Sequence, residues 1–263
     1  MIILHILRLV RATAPRIVVL ENVGGLLTTH REFFDAVLSM LRETRWSWLP
    51  GQRYVIEWRQ LDTKKFNIPH SRPRVWIVAV RADSLQHALV WPRAKAPCHT
   101  IDALLDGTRP SRAVLASALP PASSSNARLN VINGLRRVRD RGCDPLEVTH
   151  IMEIDNSAHG ESFSSSIMRG CSPCITRRRA QCGGHWVSTR GRRLSTAEML
   201  RLQGMRPARF VVPPSVPTPA FHGMVGNSMS VNIIEVLLAM LSRACPAVLG
   251  ATPLPDRWSA TSP

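Results

Sequence analysis

The sequence predicts an α/β fold with a loop-rich segment set into it. Three observations carry that expectation. Short apolar runs rich in β-branched residues occur at 17–20, 54–61 and 74–80. Apolar residues at helical spacing occur between Leu4 and Val10, Phe33 and Leu41, and Val231 and Leu241. From about residue 83, prolines and serines replace both patterns until order returns near Arg193. With 263 residues, 44% of them hydrophobic, the chain can bury a real core, as one domain or as a domain with a smaller one inserted.

The elements follow in chain order. Leu4, Ile6, Leu7, Leu9 and Val10 suit a short helix packed on one side. Ile17-Val18-Val19-Leu20 reads as a strand buried on both faces, delivering Glu21 and Asn22 at its tip with Gly24-Gly25 behind. Phe33, Phe34, Val37, Leu38 and Leu41 form the apolar stripe of a helix. The strands 54–61 and 74–80 are joined by KKFNIPHSRP, too polar and Pro-broken for either element, which suggests an antiparallel pair. Prolines 92, 97, 110, 120 and 121 and Ala-Ser-Ser-Ser at 122–125 describe a poorly ordered stretch. Arg136, Arg137, Arg139 and Arg141 read as a solvated helix face.

Further on, Ser195-Thr196-Ala197-Glu198 is a capping box, and its helix should run to Gln203 and end at a left-handed Gly204. A Pro-rich loop at 207–219 and a Gly-rich turn at 222–228 lead to a helix at 231–242, with Val231, Ile234, Leu237, Leu238 and Leu241 as its apolar face. The sequence has no internal repeat.

The 34 basic residues, all Arg but for Lys64, Lys65 and Lys95, outnumber 18 acidic ones and give a net charge of +16. Such an excess favours a nucleic-acid partner, although a coding bias toward Ala, Pro and Arg gives the same composition. No run has the length of a membrane span, so no membrane partner is expected. Met1–Val10 lacks the basic leader and small-residue cleavage site of a signal peptide. Six cysteines in a chain of this size need no disulfide framework, so an intracellular, reducing location is expected, nuclear in a eukaryote.

Four motifs stand in a fixed order: Glu21-Asn22-Val23 after a strand, His70-Ser71-Arg72-Pro73-Arg74 entering a strand, Arg193 to Gly204, and Gly226-Asn227-Ser228 before a helix. In this order, with an insert between the second and third, PRIVVLENVGGLL, LDTKKFNIPHSRPRVWIV, RRLSTAEMLRLQGM and GMVGNSMSVNIIEVLLAML resemble the C-terminal half of the C5-cytosine DNA methyltransferases. The resemblance implies the C-terminal part of a Rossmann-like, S-adenosylmethionine-dependent methyltransferase sheet with an inserted target-recognition domain. It implies catalytic strands in 1–85, target recognition in 86–190, a return to the catalytic domain in 191–243 and a disordered tail at 244–263.

In that family a cytosine is swung out of the duplex, a Cys thiolate adds to ring carbon 6, and a carboxylate holds the exocyclic amine and N3 while carbon 5 takes the methyl group. By resemblance Glu21 is that carboxylate, Arg72 and Arg74 contact the flipped nucleotide, and Asn22, Gly226, Asn227 and Ser228 border the S-adenosylmethionine pocket. A tight turn capping the last helix accounts equally for 226–228. Arg177, Arg178, Arg179 and Arg193 are expected to meet double-stranded DNA. Arg193, Glu198, Arg201 and Gln203 also look like a capped helix supporting the recognition domain, and His70 stands where the family usually has Gln. Cys171-x2-Cys174 and Cys182-x2-His185 have zinc-like spacing, but SPCITRRRAQCGGHWVS resembles the family's strand–turn–strand segment, so no metal is expected.

The family also uses a Gly-rich cofactor loop and a Pro-Cys nucleophile before its Glu. The twenty residues before Glu21 contain neither Gly nor Cys, and the Pro-Cys pairs at Cys98 and Cys174 follow Glu21. The expectations are a fragment inactive alone, a subunit completed by an N-terminal polypeptide, or a noncatalytic DNA-binding module.

Overall fold

The most apolar run, Val75–Val80, becomes the middle strand of a three-stranded antiparallel sheet. The computed structural model describes residues 2–95, 100–156 and 166–250. By contact the chain forms two compact units. The first holds residues up to Asp62, Pro73–Ala94 and the chain from Ile233; the second holds Thr63–Arg72 and Lys95–Asn232.

In the first unit, helix α1 (Ile2–Thr13) leads to strand β1 (Ile17–Val23), helix α2 (Arg31–Glu43), and strands β2 (Tyr54–Asp62) and β3 (Pro73–Arg81). The order is β1-β3-β2, with both pairings antiparallel. The antiparallel relation of β2 and β3 is the one their connection suggested. β1 is not buried on both faces as expected. Val18 is buried, but Val19 and Val23 are 37% and 52% exposed, because β1 sits at a sheet edge and β3 is its strand partner among the described residues. The fully buried apolar strand is β3, which has neighbours on both sides.

Phe34, Val37, Leu38 and Leu41 of α2 follow the helical spacing and pack with Leu7 and Val10 of α1 onto Val75, Ile77 and Ala79. Two aromatic pairs lock this core edge to face, Phe34 with Trp58 at 4.9 Å and Trp46 with Tyr54 at 5.2 Å between centroids. Their polar atoms are satisfied by chain ends of α1: Trp46 Nε1 donates to Arg11 O and Tyr54 Oη to Pro15 O. Burial pushes the Tyr54 phenol up to about 12, with Arg81 partly offsetting it.

The second unit is built from α3 (Arg112–Ser117), α4 (Ser125–Asp140), β4 (His150–Met152), β5 (Ile167–Arg169), α5 (Arg177–Gln181), β6 (Trp186–Val187), β7 (Arg192–Arg193), α6 (Thr196–Leu202) and α7 (Thr218–Asn227). Its strands form an antiparallel sheet in the order β5-β4-β6-β7. The segment from 83 on is more ordered than its composition suggested. Ser125 opens the 16-residue α4, whose inner face is Ala127, Asn130, Val131, Gly134 and Val138. Small residues and a buried Asn hide this face from an apolar-pattern search. Asn130 Nδ2 donates to Ile154 O and Asn156 O, so the polar member is satisfied. Arg136, Arg139 and Arg141 are exposed, as the solvated face required. Arg177–Gln181 is a helix inside the segment expected to be strand–turn–strand; the β6–β7 hairpin follows it.

The Gly-rich stretch 222–228 is not a turn but the body of α7. A Cβ on Gly226 would stand 2.5 Å from Thr176 O and 2.7 Å from Thr176 C, so glycine lets α7 approach the backbone at the start of α5. At Gly223 the atoms met are those of the flexible Gln181 side chain. Gly226→Ala is therefore expected to lower stability by about 3 kcal/mol, and Gly223→Ala by clearly less, read as shifts of the urea midpoint.

Helix α8 (Val231–Ala244) and the short α9 (Pro246–Leu249) close the described chain. The buried apolar residues of α8 are Ile233, Leu237, Met240, Leu241 and Ala244, whereas of the residues expected inside Val231 and Ile234 are half-buried and Leu238 is exposed. Helix α9 occupies part of the expected disordered tail; 251–263 lie outside the described residues, as does Cys98. By length and apolar content Thr218–Ala244 could span a membrane, contrary to the sequence-based expectation. It is broken at Ser228–Ser230 into α7 and α8.

Candidate active site

Glu21 lies near the end of β1, beside the start of β3. The register places Glu21 opposite Trp76 and Val23 opposite Arg74, so Arg74 is the diagonal neighbour of Glu21. Its Nε holds Glu21 Oε1 at 2.9 Å, and its Nη1 donates to Pro73 O at 2.8 Å, fixing the guanidinium between strand backbone and carboxylate. The Glu21 and Arg74 side chains are 17% and 12% exposed. That is buried enough to fix their geometry and open enough for a substrate to reach the carboxylate. Such a carboxylate can accept hydrogen bonds from an amine and a ring N–H. Asn22 turns inward on its own backbone, its Oδ1 accepting from the Val23 N–H at 2.8 Å.

Arg72 belongs to the second unit and is spent differently. It is buried; Nη1 donates to Ile175 O at 2.8 Å and Gly226 O at 3.2 Å, and Nη2 to Ser228 O at 2.6 Å. It clamps three backbone carbonyls, the last two at the end of α7. His70, also buried, does similar work. Its Nδ1 meets Leu202 O at 2.9 Å and its Nε2 accepts from the Ile175 N–H at 3.1 Å, which fixes the Nδ1–H tautomer.

Gly226 and Ser228 are accounted for without a ligand. Gly226 is filled by the Thr176 backbone; Ser228 Oγ donates to Val225 O, and its carbonyl accepts from Arg72. Asn227 is exposed at the end of α7.

Of the four arginines expected on DNA, two are committed internally. Arg179 pairs with Glu153 and Asn156. Arg193 forks onto Asp155, at 2.9 and 2.5 Å, and onto Gly184 O. Arg177 and Arg178 are exposed at the start of α5.

The capping box forms as the sequence required and carries more than a cap. Glu198, 1% exposed, accepts from the Ser195 and Asp106 amides and from the fork of Arg192 at 2.7 and 2.9 Å. Asp106, which sequence patterns did not single out, receives Ser195 Oγ and the Arg201 guanidinium, each at 2.7 Å. Burial pushes the Asp106 carboxyl up, but the bonds from Ser195 and Arg201 outweigh it and hold it below the usual range. Gly204 follows α6 with φ 76°, the left-handed conformation its position called for.

Cys182 is exposed while His185 is buried, and among the described residues no three His, Cys, Asp or Glu side chains gather closely enough to hold a metal ion. Neither ring nitrogen of His185 makes a hydrogen bond. Burial lowers its pKa to about 4, and the nearby Cys174 and Pro173 backbone, short of hydrogen-bond geometry, offsets only part of this. The unfolded chain therefore takes up this proton near pH 6.5, before the folded one does. Stability should fall by about 3 kcal/mol as pH drops from 6.5 to 4. Comparison of wild type with His185→Leu in urea across that range checks this, since the variant loses the slope.

A family model described as C-5 cytosine-specific DNA methylase matches residues 1–243. Among curated proteins, the orphan methyltransferase M.SPBetaI of Bacillus phage SPbeta is 34% identical over 73 residues, which is 28% of this chain and 15% of that protein. The orphan methyltransferase M.Phi3TI of Bacillus phage phi3T matches to the same extent. The matched stretch is thus a minor part of these relatives' length. Among solved structures, the Entamoeba histolytica methyltransferase EhMeth superposes with TM-score 0.56 at 15% identity, over 92% of this chain and 68% of that one. The S. pombe Dnmt2 methyltransferase does so with TM-score 0.53 at 18% identity, over 92% and 72%. These likenesses are of fold.

Proposed function

The chain belongs to the C-5 cytosine-specific DNA methylase family, and from that premise we propose that it carries the base-holding part of a DNA cytosine-5 methyltransferase. The observation that supports this best is the Glu21–Arg74 pair at the end of β1. Glu21 holds the exocyclic amine and N3 side of a flipped cytosine, and Arg74 keeps the carboxylate aimed. As the ring gains electron density on attack at carbon 6, N3 takes up a proton that Glu21 then holds, which offsets the charge and leaves carbon 5 nucleophilic. Arg72 and His70 are positioning residues that tie backbone segments together and do not touch the base.

S-adenosylmethionine supplies the methyl group in this chemistry. The stretch Gly226–Ser228 is proposed to border part of its pocket, the remainder coming from sequence outside these 263 residues. The attacking thiolate is placed there too, either on a longer chain or on a complementing polypeptide, because no Cys precedes Glu21. Double-stranded DNA is the proposed partner, with 86–190 as the target-recognition segment and the exposed Arg177 and Arg178 among its contacts.

The +16 charge supports a second reading, a noncatalytic DNA-binding module. The reading frame upstream of Met1 and the neighbouring genes separate the two. The enzyme reading expects a Gly-rich strand–loop and a Pro-Cys in one of them. If neither encodes these, the binding module stands instead.

A further inference from the structure

The second unit contains a cavity of about 220 Å³ lined by Val138, Arg141, Cys143, His150, Ile167 and Arg169. Local structure brings these residues together. Helix α4 ends at Asp140, and Gly142, with φ 75°, turns the chain so that its amide bonds Arg139 O and that of Cys143 bonds Val138 O. That turn sets Arg141 and Cys143 beside the last buried residue of the helix. Across the antiparallel β4–β5 ladder His150 is directly opposite Arg169, so both side chains leave the same face.

The electrostatics of the cavity are one-sided. No carboxylate lines it. The Arg141 and Arg169 side chains are exposed, and neither guanidinium has a hydrogen bond or ion pair among the described residues. Of the carboxylates close by in sequence, Asp144 and Glu147 are both taken by Arg112, at 2.6 and 3.3 Å, and Asp140, the last residue of α4, is exposed and does not line the cavity. His150 is buried, and its Nδ1 meets Val148 O at 2.8 Å, which leaves Nε2 as the nitrogen not engaged there. The negative end of the α4 dipole opposes an anion here, but the turn's amides already occupy the Arg139 and Val138 carbonyls. Two arginines and a histidine on the rim of a small cavity that also has Val138 and Ile167 in its lining are a donor set for a tetrahedral oxyanion. The volume equals about seven waters at about 30 Å³ each, enough for a phosphate and part of an attached sugar.

We propose that this cavity is a phosphate-binding site in which Arg141 and Arg169 grip one phosphate and His150 completes the donor set. The phosphate is a backbone phosphodiester of DNA if the function proposed above holds, or free inorganic phosphate. The site then fixes the register of the recognition segment on the duplex without reading its sequence.

The test uses the full chain as wild type, as R141Q/R169Q, and as the charge-matched R136Q/R139Q on the solvated face of α4. Inorganic phosphate is titrated by calorimetry, and a duplex of arbitrary sequence is titrated across a salt series. The expected result is saturable phosphate binding in wild type and R136Q/R139Q, lost in R141Q/R169Q. The salt slope for duplex binding should become shallower by about one in R141Q/R169Q relative to R136Q/R139Q. Phosphate binding lost only in R141Q/R169Q with equal duplex slopes assigns the site to free phosphate. Wild type that binds phosphate there and no duplex leaves the site standing and removes the DNA function. No saturable phosphate binding together with equal slopes for the two double variants overturns the site.

Discussion

Replacing Glu21 with Gln in the assembled enzyme is expected to slow methyl transfer by about 10²- to 10⁴-fold, with DNA affinity nearly unchanged. Gln keeps the length of the side chain and one acceptor for Arg74 Nε, but it cannot meet both an amine and a ring N–H as acceptor. The carboxylate has a second oxygen besides the one Arg74 holds at 2.9 Å, and the amide replaces one of the two with a donor. Folding should change by only about 1 kcal/mol, because a partly open ion pair contributes little to stability. Single-turnover rates with labelled methyl donor, measured beside urea midpoints, separate the two effects. A variant that loses rate only as far as it unfolds would assign Glu21 to structure.

Replacing Arg72 with Leu is expected to cost about 3–5 kcal/mol of folding stability. Leu fills some of the volume but leaves the Ile175, Gly226 and Ser228 carbonyls without their donor in a buried place. Lys should recover only a part, since one ammonium lacks the planar fork that reaches three acceptors. The readout is the urea midpoint of the purified chain. If Arg72→Leu folds like wild type and loses only activity on DNA, Arg72 meets the substrate and the backbone clamp is incidental.

These two arginines, separated by one proline, show where sequence was informative. The type and order of residues around Arg72 and Arg74 marked both as site residues, and for Arg74 the structure supplies the carboxylate partner. Nothing local distinguishes Arg72, because its acceptors come from residues 175, 226 and 228, over a hundred positions away. Glycine misled in the same manner. Gly223 and Gly226 read as a turn by composition, yet both lie within α7, where the glycine at 226 lets the distant Thr176 backbone pass close. Local signals fared better where the physics is local. The capping box at Ser195, the left-handed Gly204, the stripe of α2 and the antiparallel return of β3 on β2 all depend on near neighbours. Helix α4 was hidden because its buried face is Ala, Asn, Gly and Val. β1 was overread because four apolar residues look alike in a central strand and at an edge.

In the proposed function, residues 1–263 supply the carboxylate for cytosine methylation while the thiolate comes from another segment. The most direct measurement is transfer of labelled methyl from S-adenosylmethionine to cytosine in duplex DNA, by the purified chain alone and by the same chain joined to or mixed with the segment that carries the Pro-Cys. Incorporation at carbon 5 is expected only in the second case, and is lost with Glu21→Gln; incorporation by residues 1–263 alone would overturn the division of carboxylate and thiolate between two segments.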